Sequence, residues 1–201
     1  QNGHATQPLD TTWKNCIKII SDIAKKIQNL KNRLALIAIT GQGDGTWLID
    51  KKGDPVCDAW LWLDARSSEI AKELTNLESE DSRFNATGTA IFAGQQSAQI
   101  SYMEKNNPEI LNKSTTAFHC KDWIYYKLTN IRATDPSEAC FTFGNFRTKN
   151  YDKSVINNLG LSKRMKLLPD IIDGSKTSHP LMNEAADLLG LLSGTPVSLA
   201  Y

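Results

Sequence analysis

A glycine-rich loop is the first segment whose residue types could do chemistry. The loop Gly41–Gly45 has the sequence GQGDG, which places an amide and a carboxylate between three glycines. A phosphate-binding loop needs glycines that lead into a helix, whose N-terminal N–H groups meet the anion. Here a β-rich run, TWLID at 46–50, follows instead. The loop therefore predicts close approach of the backbone to a small ligand, and the alternative is a tight turn between two strands.

A second candidate site is the segment WLWLDAR at residues 60–66. Alternate side chains of a strand share a face, so Trp60, Trp62 and Asp64 would project together. An aromatic ring can cover the C–H edges of a hydroxyl-rich ligand while a carboxylate accepts hydrogen bonds from two neighbouring hydroxyls. The alternative is a pair of core tryptophans, with Asp64 capping the next helix.

The third candidate is the segment FHCKDW at residues 118–123. His119 and Cys120 are adjacent, and adjacent side chains on one element point apart, so a nucleophile–base pair is not expected. We interpret this segment as the end of a strand, with Asp122 capping the helix that follows. No Ser/His/Asp set and no metal-ligand spacing stands out, so the sequence alone predicts neither a metal site nor a complete catalytic apparatus.

Composition excludes several classes of protein. The chain has 201 residues and a net charge of +1, from 23 Lys and Arg against 22 Asp and Glu. This balance argues against a nucleic-acid binder or a polybasic membrane-surface protein. No apolar run approaches the ~20 residues that cross a bilayer, and no secretory signal is visible. The four cysteines form no C-x-x-C pair, which indicates reduced thiols and predicts a cytoplasmic protein.

Hydrophobic periodicity predicts the elements that position these segments. Apolar residues at steps of three and four from Trp13 to Leu30 indicate a helix, capped by Asp10 or Thr11. A buried strand, Leu34–Ile39, should follow. Further strands are expected at 46–50, 56–63 and 196–199. Further helices are expected at 67–77, 95–104, 122–128 and 182–189, the last of them ended by Gly190. Another helix should begin after residue 135, with Asp135 or Ser137 as its cap. Alternating strands and helices indicate an α/β domain.

Both ends of the chain are interpreted as cuts through a larger fold. The chain begins on a helix that feeds a strand, and it stops just after an apolar strand with no polar tail. We therefore expect the fold to be incomplete at both ends.

The ordered segments resemble the FGGY family of carbohydrate kinases, from about Gln7 to Tyr201. The resemblance rests on the loop TGQGDG at 40–45, WLDAR at 62–66, KDWI at 121–124 and GLLSGTPV at 190–197. The segments DPSEA at 135–139 and FGNFR at 143–147 are similar to those of its erythritol kinases. Glycerol kinases carry Arg-Glu where this chain has Gly43-Asp44, and xylulose kinases carry Met-His. Substrate choice should therefore differ from both.

The resemblance implies a ribonuclease-H-like domain of the actin and hexokinase superfamily, with a mixed sheet flanked by helices. Residues 1–201 would be most of the N-terminal domain that binds a sugar or polyol. The C-terminal ATP domain would be absent from this chain.

The implied activity is ATP-dependent phosphorylation of a terminal hydroxyl of a small, erythritol-type polyol or sugar. The implied substrate-binding residues are Gln42, Asp44, Trp62, Asp64, Gln95 and Gln96. The family's aspartate base would lie just beyond Tyr201, so no catalytic residue is expected within the chain. ATP with Mg²⁺ would bind the missing domain, and this chain alone would bind neither.

A non-enzymatic alternative is kept beside the kinase. The chain could be a catalytically inactive polyol-binding or scaffold domain, or an inactive fragment. The expected partners are a small polyol or sugar and ATP, without nucleic acid or membrane, and a homodimer is left open.

Overall fold

The structure is a computed structural model that describes residues 3–200. Its helices are α1 Leu9–Lys26, α2 Leu30–Arg33, α3 Ser68–Thr75, α4 Glu80–Thr87, α5 Gln96–Asn106, α6 Pro108–Lys113, α7 Cys120–Thr129, α8 Pro136–Phe143, α9 Lys153–Asn158 and α10 Asn183–Leu189, with a 3₁₀-helix at Ser162–Leu167. Its strands are β1 Thr6–Gln7, β2 Ile37–Ile39, β3 Trp47–Ile49, β4 Ala59–Trp60, β5 Thr116–Phe118, β6 Ala133–Thr134, β7 Gly144–Asn145, β8 Asn150–Tyr151, β9 Asp170–Ile171, β10 His179–Pro180 and β11 Pro196–Leu199.

The strands pair in both directions. β11 lies between β10, which is antiparallel to it, and β2, which is parallel to it with Val197 opposite Ile37. β3 pairs with β5 in antiparallel register, and β6 with β9 in parallel register. The remaining pairs, β1 with β4 and β7 with β8, are antiparallel. The expectation of mixed pairing flanked by helices is confirmed.

Strand β3 separates two hydrophobic cores. Trp47 and Ile49 belong to one core, which is completed by side chains of α1, α7, α10 and β11. Leu48 points the other way, into a core built largely from α5, α9 and the segment before β5. All three residues are buried. Successive strand side chains point to opposite faces, so a strand covered on both sides is apolar at every position.

The first helix begins earlier than predicted. Pro8 precedes it with φ −63° and ψ 128°, and its carbonyl accepts the N–H of Thr11 at 3.1 Å. The prediction that Asp10 or Thr11 caps the helix is therefore wrong, because both lie inside its first turn. Proline is tolerated beside a helix start, since the N–H that it lacks would have no partner there.

The predicted strand Leu34–Ile39 is shorter and less buried than expected. Only Ile37–Ile39 pairs, and Leu36 is 47% exposed while Ala38 is exposed as well. Within residues 3–200 this strand has β11 as its one neighbour, so it lies at the edge of its sheet. An apolar run shows that a segment can be buried, but only the sheet order decides whether both faces are covered.

The predicted strand Val56–Leu63 reduces to β4, Ala59–Trp60. The backbone then turns, with the N–H of Asp64 donating to Leu61 O at 2.9 Å. The prediction that three side chains share a face is therefore wrong: Trp60 and Asp64 are buried, and Trp62 is 42% exposed.

Several local predictions are confirmed. β11 matches the predicted strand, and α10 ends at Gly190, whose φ of 69° is the left-handed conformation that glycine adopts freely. All four cysteines are free thiols. Among the helices within residues 3–200, none is both long and apolar enough to span a membrane.

Candidate functional site

The glycine-rich loop Gly41–Gly45 lies between β2 and β3, pressed against two helix starts. A Cβ added at Gly43 would lie 2.8 Å from Oε1 of Glu138, which is on α8. A Cβ at Gly45, where φ is +76°, would lie 2.6 Å from the carbonyl oxygen of Trp60. The backbone clash and the positive φ require glycine at position 45, whereas a side chain at position 43 would displace the Glu138 carboxylate.

Asp44 is held in an uncommon backbone conformation at the tip of this loop. Its φ is 59°, in the left-handed region that aspartate and asparagine tolerate better than most residues. Its backbone N–H lies 3.5 Å from Oε2 of Glu138. Within the described part of the chain, its buried Oδ1 atom has no hydrogen-bond partner. The loop thus presents an unpaired carboxylate oxygen.

A cavity of about 150 Å³ opens at Asp44. Its lining comes from the loop and from the first turns of α8: Gly43, Asp44, Ser137, Glu138 and Phe141. A neighbouring cavity of about 340 Å³ shares Ser137 and Phe141 with it. The smaller cavity therefore combines two carboxylates, a hydroxyl and one aromatic wall.

His119 lies immediately before α7, with both ring nitrogens close to carboxylates. Its Nδ1 is 3.2 Å from Asp122 Oδ2, and its Nε2 is 3.7 Å from Glu138 Oε2. Asp122 Oδ2 also accepts the backbone N–H of His119 at 3.0 Å. The cap predicted at Asp122 is thus corrected: His119 is the N-cap residue, and Asp122 reaches back to it from the first turn of the helix.

Lys121, on α7, is a buried cation at the centre of the cluster. Its Nζ forms an ion pair with Asp135 and lies 3.7 Å from Oε1 of Glu138. It also donates to the carbonyl oxygen of Ala200 at 3.3 Å. Asp135 caps α8 as predicted, accepting the backbone N–H of Ser137 at 2.7 Å. This single ammonium group thereby connects α7, α8 and the segment after β11.

Burial and neighbouring charges shift the proton affinities of the cluster. Burial raises the pKa of Asp44 to about 6, which the nearby His119 opposes. Burial alone would lower the pKa of His119, but the carboxylates of Glu138 and Asp122 raise it to about 9. Burial would raise the pKa of Asp135, but the ammonium of Lys121 holds it below its usual range. Burial also raises the pKa of Asp122, which its hydrogen bond to His119 opposes. The cluster therefore combines two basic side chains, His119 and Lys121, with carboxyl groups whose proton affinities differ.

A family profile described as the N-terminal domain of the FGGY family of carbohydrate kinases matches residues 1–201. The chain belongs to the FGGY family. Erythritol kinase of Brucella abortus (strain 2308) is 54% identical over 200 residues, which are 100% of this chain and 38% of that protein. A probable L-xylulose kinase of Haemophilus influenzae is 25% identical over 97% of this chain and 40% of that protein. The chain thus spans about two fifths of the length of the curated FGGY relatives it matches.

Solved FGGY kinases share the fold. The xylulose kinase of Rhodospirillum rubrum superposes with a TM-score of 0.90 at 20% identity, over 100% of this chain and 42% of that one. The gluconate kinase of Lactobacillus acidophilus superposes with a TM-score of 0.87 at 19% identity, over 98% of this chain and 39% of that one. These likenesses confirm the predicted actin- and hexokinase-like fold.

The structure separates the residues that the FGGY resemblance implied. Asp44 lines the cavity, and Gln42 is exposed on the same loop. Trp62 is exposed, and its segment meets the loop through Gly94, whose carbonyl accepts the N–H of Gly45 at 3.0 Å. A Cβ at Gly94 would lie 1.8 Å from the carbonyl oxygen of Trp62. Gly94 therefore holds these two segments together.

The other three implied residues are buried and bonded within the chain. Arg66 donates to the Asp64 carboxylate at 2.9 and 2.7 Å, and the N–H of Ala5 donates to it at 2.8 Å. Gln96 Nε2 donates to the carbonyl oxygen of Phe118 at 2.9 Å. Gln95 Oε1 accepts from the Ser97 hydroxyl at 2.9 Å. Their assignment as substrate contacts stays a prediction.

Sequence reasoning missed His119, Lys121 and Glu138. In the sequence, His119 stands out only as the neighbour of Cys120, and Glu138 only as part of the family motif at residues 135–139. One signal was available: each is an ionisable residue at the N-cap or in the first turn of a helix that follows a short strand. Helix starts at strand ends gather at the edges of sheets, where binding sites form.

Proposed function

We propose that the protein containing this chain is an FGGY-family polyol kinase. It would transfer the γ-phosphoryl group of ATP to a terminal hydroxyl of a small, erythritol-type polyol. This chain would supply the acceptor-binding domain. The observation that carries the proposal is the unpartnered, buried Oδ1 of Asp44 in a cavity of about 150 Å³. The erythritol kinase relative at 54% identity supports it.

The chemistry of the cavity favours a short-chain polyol. Hydroxyl groups are hydrogen-bond donors, and an ionised carboxylate is an acceptor with two oxygens. Phe141 offers an apolar wall to C–H groups. A cavity built to pair hydroxyls rejects analogues that lack them, by as much as roughly 10⁴-fold.

The role of this chain would be to position the acceptor. Phosphoryl transfer has a loose transition state, so most of its catalysis is positioning and charge stabilisation. The acceptor oxygen would attack the γ-phosphorus as its proton leaves to a base and ADP departs. By the family resemblance, that base is an aspartate that follows Tyr201, which lies outside the described residues. Asp44 would accept hydroxyl hydrogen bonds, with Gln42 and Trp62 as further candidate contacts.

Mg-ATP is the expected second substrate. Within residues 3–200, no group of three or more His, Cys, Asp or Glu side chains is arranged to hold a metal ion. The loop Gly41–Gly45 leads into β3 and not into a helix. By the family resemblance, the Mg-ATP site would lie in a C-terminal domain.

The test uses the protein as its natural source produces it. Its intact mass is measured, and ATP consumption is followed with erythritol, threitol, xylitol, L-xylulose and gluconate as acceptors. We expect turnover with at least one polyol. The Asp44→Asn variant should raise the KM for that polyol by more than about tenfold, because asparagine tolerates the left-handed backbone but lacks the charge.

Asp54→Asn, at an exposed turn, serves as the matched control and should leave the KM unchanged. Polyol binding without turnover would favour the alternative of an inactive binding domain. If the protein shows no polyol binding and no turnover, both the kinase and the inactive binding domain are excluded.

A further inference from the structure

Glu138 is a second carboxylate in the cavity at Asp44. It lies in the first turn of α8, and its side chain is 13% exposed. Its Oε2 is 3.5 Å from the backbone nitrogen of Asp44, and both residues line the same cavity. A ligand that reaches the Asp44 carboxylate therefore also meets Glu138.

The acidic side chains around Glu138 outnumber the basic ones. His119 and Lys121 are the cations nearest to Glu138, each at 3.7 Å. His119 is shared with Asp122, and Lys121 with Asp135. Four carboxylates (Asp44, Asp122, Asp135 and Glu138) thus share two cations. Both cations are almost fully buried, so a ligand in the cavity cannot take either of them from its present partners without breaking an ion pair.

Two buried polar atoms beside Glu138 lack a partner in the described part of the chain, and one of them, Asp44 Oδ1, lines the cavity. Within residues 3–200, Asp44 Oδ1 and His119 Nε2 have no hydrogen-bond partner. The His119 side chain is 4% exposed, and its Nε2 faces the Glu138 carboxylate at a distance longer than a hydrogen bond. Unsatisfied buried polar atoms cost free energy, and the one at the cavity, Asp44 Oδ1, could be paired by a ligand hydroxyl.

We propose that Glu138 is a specificity-determining substrate contact, which together with Asp44 admits neutral polyols and excludes sugar acids. Polyol hydroxyls would donate to both carboxylates. A ligand carboxylate would place a third anion beside them, and like charges in a partly buried site repel strongly. His119 and Lys121 act through Glu138 as positioning residues, since they hold its two oxygens. The inference rests on the proposed function, because it needs this cavity to be the acceptor site.

The test compares binding of a neutral and an anionic ligand of the same chain length. Isothermal titration calorimetry measures the Kd of erythritol and of erythronate for the full-length protein, its Glu138→Gln variant and the control Glu78→Gln, at an exposed position. We expect wild type to prefer erythritol. Glu138→Gln should weaken erythritol about 10- to 100-fold, the range for loss of a hydrogen bond to a charged group. The same variant should bind erythronate more tightly, so that the preference for erythritol over erythronate shrinks or inverts. The control Glu78→Gln should change neither Kd.

Thermal unfolding of each variant shows whether it folds. If Glu138→Gln does not fold, Glu138→Asp replaces it, because the shorter side chain keeps the charge but moves the carboxylate oxygens away from the cavity. For this variant we expect weaker binding of erythritol and continued exclusion of erythronate. Erythritol affinity and discrimination unchanged in Glu138→Gln would overturn this inference and leave the proposed function standing. Failure of the wild type to bind any polyol would overturn both.

Discussion

The Nε2 atom of His119 lies 3.7 Å from the Oε2 atom of Glu138, although the two residues belong to different helices. His119 is the N-cap residue of α7, and Glu138 lies in the first turn of α8. Their contact brings both helix starts to the glycine-rich loop that carries Asp44. The cavity therefore depends on a buried ion pair whose charge state varies with pH.

A His119→Gln variant should lose stability in a pH-dependent way. The pKa of His119 is raised above its unfolded value by Glu138, Asp122 and Asp44, to about 9. The stabilisation is therefore fully present below about pH 6.5 and is lost as the pH rises through about 9. Urea unfolding of wild type and variant at pH 6, 7.5 and 9.5 measures the difference, which should shrink at the highest pH. A difference that is constant with pH would contradict the ion pair. His4→Gln, at an exposed position, is the control.

Asp44→Asn should stabilise the protein above pH 6 while weakening polyol binding. Burial raises the pKa of Asp44 to about 6, so ionising it in the folded protein costs free energy. Asp44 therefore contributes to the stability of the folded wild type below about pH 4, and this contribution is lost as the pH rises through about 6. We expect the variant to gain about 1–3 kcal/mol at pH 8 and little at pH 4. Chemical denaturation at both pH values measures it, and a variant less stable than wild type at pH 8 would refute the assignment.

Lys121→Met should be the most damaging of these substitutions. Removing the ammonium leaves Asp135 and Glu138 buried without their cation, and breaking one side of a buried ion pair costs about 3–5 kcal/mol. Unfolding by denaturant gives the loss directly. Lys163→Met removes an exposed lysine and should change stability by less than about 0.5 kcal/mol. Similar losses for the two variants would show that the buried cluster contributes little.

Asp64→Asn distinguishes a structural role from a role in binding. The Asp64 carboxylate accepts two hydrogen bonds from the side chain of Arg66 and one from the N–H of Ala5. Weakening them should cost about 2 kcal/mol of stability. We expect unchanged polyol affinity in the folded variant, measured by calorimetry below its unfolding temperature. A large loss of affinity at unchanged stability would instead support the contact that the family resemblance implied.

The confirmed predictions of secondary structure rest on short stretches of sequence. Strand β11, the end of α10 at Gly190 and the cap at Asp135 each depend on residues within one turn or one strand. The family and the fold were predicted from the order of the motifs, because the motifs are spread over nearly the whole chain. The same route predicts Asp44 as a substrate contact, which stays a prediction.

Partners that are distant in sequence were decided by the tertiary structure. Asp44 and Glu138 are 94 positions apart and meet because α8 packs against the glycine-rich loop. Asp64 is paired by Arg66, two residues along the chain, whereas the elements that surround Asp44 and leave its Oδ1 unpaired are distant in sequence. The sequence by itself determined the longer helices, strands β3 and β11, and the family. Which ionisable side chains become buried together was decided only by packing, since burial and charge pairing depend on every element that surrounds a group.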